Sequence, residues 1–173
     1  MRILPFLALF VAVDAAAITE PDSGGWIGAA TGLAIDTKAD LGVGLGWQAT
    51  AGLWFGKHDG VYAFGKYTGI GVTVRQAYLS GNLVTEPMLE LRRGADIVVV
   101  TTQLFVSGGP QIAYGEVGAV LLAGGGIKYR MSPQFGIVVR AELGVSVLAG
   151  SWAFRNNIVA GVEFAAPWSG RRE

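Results

Sequence analysis

The stretch from Leu41 to Gly56 alternates without a break. Its odd positions, Leu41, Val43, Leu45, Trp47, Ala49, Ala51, Leu53 and Phe55, are all apolar, and its even positions are small or polar apart from Trp54. A period of two sends these sets to opposite faces of one strand. A soluble strand would turn a charged second face to water. Here the second face is glycine-rich and uncharged, as suits a narrow interior where side chains must fit a taper.

The pattern returns along the chain. Over 135–147, Phe135, Ile137, Val139, Ala141, Leu143, Val145 and Val147 lie opposite Arg140, Glu142 and Ser146. Over 113–130, Val117, Ala119, Leu121, Ala123, Ile127 and Tyr129 oppose Glu116, Lys128 and Arg130. Over 152–164, Trp152, Phe154, Ile158, Ala160, Val162 and Phe164 oppose Arg155, Asn157, Gly161 and Glu163, with Asn156 the one polar residue on the apolar side. Charge keeps to one parity within each of these strands. Turn-type clusters at 36–40, 56–60, 80–82, 107–110, 131–134 and 149–151, with a weaker one at Arg93-Gly94, separate the runs. They predict eight strands, near 26–35, 41–55, 61–79, 83–93, 95–106, 112–130, 135–148 and 152–165. Pro87 interrupts the fourth, and a parity shift around Lys66 is consistent with a bulge in the third.

Composition says what the apolar faces meet. Only 15% of the 173 residues are charged, 51% are hydrophobic, and 27 are Gly. Soluble domains usually carry about a quarter charged residues. Thirteen basic and thirteen acidic side chains cancel, which leaves no electrostatic footprint for nucleic acid. Without Cys there is no disulfide, thiolate nucleophile or lipid-anchoring thiol. Past residue 17 no apolar run reaches the length of a membrane helix. The other structure that satisfies every backbone group in lipid is a closed barrel. The expected fold is therefore all-β, an eight-stranded antiparallel up-and-down transmembrane β-barrel over 26–166.

Residues 1–17 read as a cleaved secretory signal peptide: Arg2, the apolar run Ile3–Val13, and Ala15-Ala16-Ala17 before the cleavage point. Residues 18–25 then form a short leader, and 167–173 a C-terminal tail.

GGGIKYRMSPQFGIVVRAELG, residues 124–144, and the alternating terminal run NIVAGVEF, residues 157–164, resemble the small outer-membrane β-barrel proteins of the OmpA-like type. As a pattern the resemblance covers nearly all of 24–166. It implies a monomer in the outer-membrane lipid of a Gram-negative envelope, inserted by the barrel-assembly machinery, with both termini periplasmic. Catalytic barrels of the outer membrane place His with Ser, Glu or Asp near the outer rim. The single His58 falls instead on a predicted periplasmic turn, so no enzyme, metal site or cofactor is expected. Trp26, Trp47, Trp54, Phe55, Trp152, Phe154 and Trp168, mostly near strand ends, are expected to form interfacial girdles.

The nearest thing to a site is a set of charges sharing one face on three sequential strands: Glu116, Lys128, Arg130, Arg140, Glu142, Arg155 and Glu163. An eight-stranded interior is just wide enough for side chains to fill. These residues are therefore expected to be a structural ion-pair network that plugs the lumen, in preference to a conduction path. The competing functional reading is a secreted, lipocalin-like soluble barrel carrying a small hydrophobic ligand. Such a carrier needs a wet exterior and an apolar cavity, the reverse of the pattern above.

Overall fold

A computed structural model describes residues 23–37, 42–56, 67–97, 99–132 and 134–167. The expected signal peptide over 1–17, most of the expected leader, His58, Lys66 and residues 168–173, with Trp168, lie outside the described residues.

Eight strands follow one another around a closed antiparallel barrel: β1 (Ser23–Asp36), β2 (Val43–Gly56), β3 (Tyr67–Leu79), β4 (Asn82–Ile97), β5 (Val100–Ala113), β6 (Glu116–Arg130), β7 (Phe135–Leu148) and β8 (Ser151–Pro167). β1 pairs with β8 from Gly24↔Pro167 to Asp36↔Arg155, so the sheet has no free edge. The expected architecture and strand count are those observed. The barrel begins three residues earlier than the sequence indicated, taking Ser23–Gly25 from the leader.

Two turns fall elsewhere than expected. The clusters at Arg93-Gly94 and Ser107–Pro110 are not turns; they lie within β4 and β5. The hairpin between β5 and β6 is Tyr114-Gly115 instead. Like Ser80-Gly81 and Ala149-Gly150, it has positive φ at both residues, the signature of a two-residue type I′ hairpin. Glycine and proline mark turns only where no ladder claims them. Pro110 is tolerated in β5 because it meets Pro87 of β4, as the register Thr85↔Ile112 and Leu89↔Gly108 requires. Neither ring nitrogen can donate, and the β4–β5 ladder has no partners between those two pairs.

Parity decides what each face holds. Outward side chains are almost all apolar, among them Leu45, Leu89, Leu104, Val117, Leu143 and Ile158. The interior is layered. At the end bearing the termini, Trp26, Trp54, Tyr67 and Ala165 pack together, the two indoles stacked at 6.3 Å. Glycine makes this possible: a methyl on Gly71 would stand 2.8 Å from Trp26 Cζ2 and 2.5 Å from the Ala51 carbonyl oxygen. At the opposite, hairpin end, Ala34, Ala77, Leu79, Val84, Ala113 and Leu148 form a second apolar cluster inside the barrel. Polar side chains line much of the interior between these clusters, with a third apolar cluster, Met88, Val120 and Leu122, set among them.

Candidate functional site: an ion-pair chain along the lumen

The polar layer is built from inward positions of strands all around the barrel. Arg155 on β8 donates from Nη1 to Asp36 Oδ2 on β1 and from Nη2 to Glu86 Oε1 on β4, both at 2.8 Å. Glu86 also accepts from Arg75 Nη1 on β3 at 3.3 Å and from Gln111 Nε2 on β5 at 3.2 Å. Arg75 Nη2 pairs with Glu142 on β7 and contacts Gln48 Oε1 on β2 at 3.4 Å. Glu142 lies 3.9 Å from Arg140 Nε, and Arg140 Nη2 donates to Glu90 Oε2 at 2.7 Å. Glu90 accepts from Thr73 Oγ1 and from Arg92 Nε, each at 3.0 Å. Arg92 Nη1 then reaches Glu163 Oε2 at 2.5 Å, and Lys128 Nζ reaches Glu163 Oε1 at 3.1 Å.

Read in sequence, the contacts form one chain of alternating sign: Asp36, Arg155, Glu86, Arg75, Glu142, Arg140, Glu90, Arg92, Glu163, Lys128. Five acids face five bases, and each of the four glutamates is shared by two cations. All ten are buried. Two guanidiniums also cover aromatic rings, Arg140 over Phe105 at 3.8 Å and Arg92 over Trp26 at 4.3 Å. Such shared pairing, with each arginine bridging two carboxylates, compensates charges removed from water.

Of the residues singled out from the sequence, Lys128, Arg140, Glu142, Arg155 and Glu163 are members of this chain. Arg130 is buried at the terminal end of β6. Glu116 is a correction: it is exposed at the first residue of β6 beside the Tyr114-Gly115 hairpin, where the lumen has already ended. Asp36, Arg75, Glu86, Glu90 and Arg92 were missed. A signal existed for three of them, since Glu86, Glu90 and Arg92 share even parity opposite Leu83, Leu89 and Leu91. Pro87 obscured it.

The aromatic expectation is also corrected in part. Trp47, Phe55, Trp152 and Phe154 face outward, but Trp26 and Trp54 lie inside at 4% and 3% exposure. Both share inward parity with Gln48 and Thr50, and Trp26 Nε1 donates to Thr50 Oγ1 at 3.2 Å. Tyr78 and Tyr114 join Trp152 near the hairpin end, while Tyr129, Phe135 and Phe164 join Phe55 near the terminal end. Phe135 and Phe164 touch across β7 and β8 at 4.9 Å.

Chemically, the lumen carboxylates are committed to cations. Among the described residues no group of three or more His, Cys, Asp or Glu is placed to hold a metal.

No protein-family model matches the chain, and comparison with curated proteins finds no match. Solved structures do resemble it. Neisserial surface protein A (NspA) is 12% identical and superposes with a TM-score of 0.64, over 82% of this chain and 97% of that one. A de novo designed transmembrane β-barrel is also 12% identical, with a TM-score of 0.44 over 86% and 98% of the two chains. The attachment invasion locus protein Ail of Yersinia pestis is 13% identical, with a TM-score of 0.28 over 85% and 99%. The first of these likenesses is in fold: a small closed barrel of eight antiparallel strands.

Proposed function

We propose that this chain is an integral outer-membrane β-barrel with a structural or surface role, its lumen plugged by the ion-pair chain. One observation carries the reading. Among the described strand residues, Arg93 is the single charged side chain at an outward position, while ten charged side chains pair inside. An outward Arg near the bilayer midplane costs roughly 2–4 kcal/mol, and a barrel spanning lipid keeps its charge inside. A soluble carrier would need the opposite distribution. The likeness in fold to a neisserial surface protein supports the same reading.

The reading extends to biogenesis and orientation. The chain is exported with cleavage after Ala17, inserted by the barrel-assembly machinery, and monomeric, with both termini periplasmic. The outer end then bears only short connections, three of them two-residue hairpins. Little surface remains there for adhesion, so the role is chiefly structural, and the lumen performs no catalysis.

Envelope fractionation followed by heat-modifiable gel migration tests residence and closure together. Mass spectrometry of the outer-membrane form should begin at Ile18; an intact Met1 in a soluble fraction would end the secretory reading. For orientation, Ser151→Cys should react with a membrane-impermeant thiol reagent in intact cells and Ser132→Cys should not. The reverse pattern would invert the barrel and put its two-residue hairpins in the periplasm, where such barrels commonly keep short turns.

A further inference from the structure

The outer wall of the barrel holds a polar group that the molecule itself does not satisfy. Asn156 on β8 lies on the outward side, in register with Ile35 of β1 and Leu143 of β7. Among the described residues its side-chain amide makes no hydrogen bond. The other outward amide of the strands differs: Gln76 on β3 donates from Nε2 to Thr85 Oγ1 on β4 at 3.3 Å. Asn156 is half-buried, whereas Ile35, Leu143, Phe154 and Ile158 around it are exposed. The amide therefore sits at the bottom of a notch rimmed by larger apolar side chains.

Its depth decides what can reach it. Phe164, at the aromatic level of the terminal end, is eight residues further along β8, roughly 26 Å along a strand. At the usual barrel tilt of about 40° this is about 20 Å of depth, and the apolar band of such barrels is about 25 Å tall. Asn156 thus lies about 5 Å inside the hairpin-end edge of the band. Phe154 and Trp152, outward and exposed, continue the column beyond it to the headgroup level. An amide placed there is too deep for bulk water to satisfy. It is within reach of the atoms that join a lipid's acyl chains to its headgroup.

We infer that the Asn156 notch binds the acyl linkage of an amide-linked, hydroxylated lipid of the hairpin-end leaflet, which is the outer leaflet in the proposed orientation. Lipid A has that chemistry. A carboxamide presents a donor and an acceptor side by side, and its occupant must return both. The ester linkages of a glycerophospholipid offer only acceptors at this depth and leave Oδ1 unmet. An N-linked 3-hydroxyacyl chain offers a carbonyl to Nδ2 and an amide or hydroxyl proton to Oδ1. A second copy of the barrel fits less well. The exposed rim of Leu143, Phe154 and Ile158 holds a facing wall away from the amide, whereas a single acyl chain threads between those side chains. The inference rests on the proposed membrane residence and orientation.

The test uses the full chain extracted from envelopes in mild detergent. It is incubated with lipid A or, separately, with palmitoyl-oleoyl phosphatidylglycerol, and retained lipid is read by native mass spectrometry at increasing activation. One lipid A molecule should survive on the folded protein at energies that strip phosphatidylglycerol. Asn156→Leu, which only adds apolar surface at a lipid-facing position, should fold and should reduce the lipid A adduct about tenfold, the worth of a pair of hydrogen bonds in lipid. Gln76→Leu, at the outward amide that is already satisfied, should leave it unchanged. Heat-modifiable migration confirms that each variant is closed. Four results would each overturn the site: folded protein that retains no lipid A, equal retention by the wild type and Asn156→Leu, phosphatidylglycerol held as firmly as lipid A, or a dimer of the chain that Asn156→Leu dissolves. A chain that never closes would instead remove the membrane reading, and thiol labelling at Ser132→Cys in place of Ser151→Cys would remove the orientation. Both are read in separate assays, so neither is confused with failure of the site.

Discussion

The β7–β8 and β4–β5 seams hold the same barrel by different means. The first pairs continuously from Phe135↔Phe164 to Leu148↔Ser151. The second is interrupted where Pro87 faces Pro110. In lipid the backbone ladder is what normally closes such a wall, because no water satisfies a broken one. The interrupted seam is instead backed from within. Gln111 on β5 donates to Glu86 on β4 beside the proline pair. Glu86 pairs with Arg75 of neighbouring β3, and Glu86, Glu90 and Arg92 tie β4 across the lumen to β7 and β8. Side chains can thus carry load that the ladder gives up, provided their charges balance.

The most damaging way to break this comparison is to remove a shared carboxylate from β4. Glu90→Ala leaves Arg140 and Arg92 facing each other without the anion between them. Urea unfolding in detergent micelles should show a loss of about 3–5 kcal/mol, the usual result of orphaning a buried ion. Arg140→Ala should cost nearly as much and in addition strip the cation from Phe105. Conductance in planar bilayers should stay small in both variants. If Arg140→Ala were neutral and the wild type showed a large steady pore, the plugged lumen would give way to a porin-like one.

Gly71→Ala comes next. It pushes a methyl against Trp26 and the Ala51 carbonyl and should destabilise by about 1–3 kcal/mol, as overpacking does. A smaller effect, of opposite sign, is expected at the weak seam. Pro110→Val restores a backbone donor and should stabilise by about 0.5–1.5 kcal/mol, the net worth of one hydrogen bond. Amide exchange along β4 and β5 would slow toward that of β7 and β8, and unchanged exchange would mean that the prolines are not what weakens the ladder. Val139→Ala is the smallest of all. Its side chain is half exposed on the outer wall, and in lipid it should change unfolding stability by less than any lumen variant.

How far the sequence could be read follows the same division. From β6 to β8 parity is clean, charges keep to one face, and the strand limits inferred from alternation fall within a few residues of those observed. Across β3 to β5 it is not. Pro87 breaks the apparent fourth strand and Ser107–Pro110 imitates a turn, and together they obscured the even parity that Glu86, Glu90 and Arg92 share. The exclusion of Glu116 and the inward turn of Trp26 depend on where the lumen ends and how deep each layer sits. Those are properties of the closed barrel, fixed by the stagger between strands, and no single strand encodes them.

The alternating chain of ten charges also restricts the order in which the molecule can be made. β4 alone carries Glu86, Glu90 and Arg92, whose partners belong to β3, β7 and β8. Each unpartnered charge near the midplane would cost a few kcal/mol. The middle of the chain therefore has to wait for the last two strands to be synthesised, and a hairpin-by-hairpin crossing of the bilayer is closed to it. Docking of β8 on β1 is the moment at which Arg155 meets Asp36. Insertion and closure become a single event, timed by the C-terminal strand.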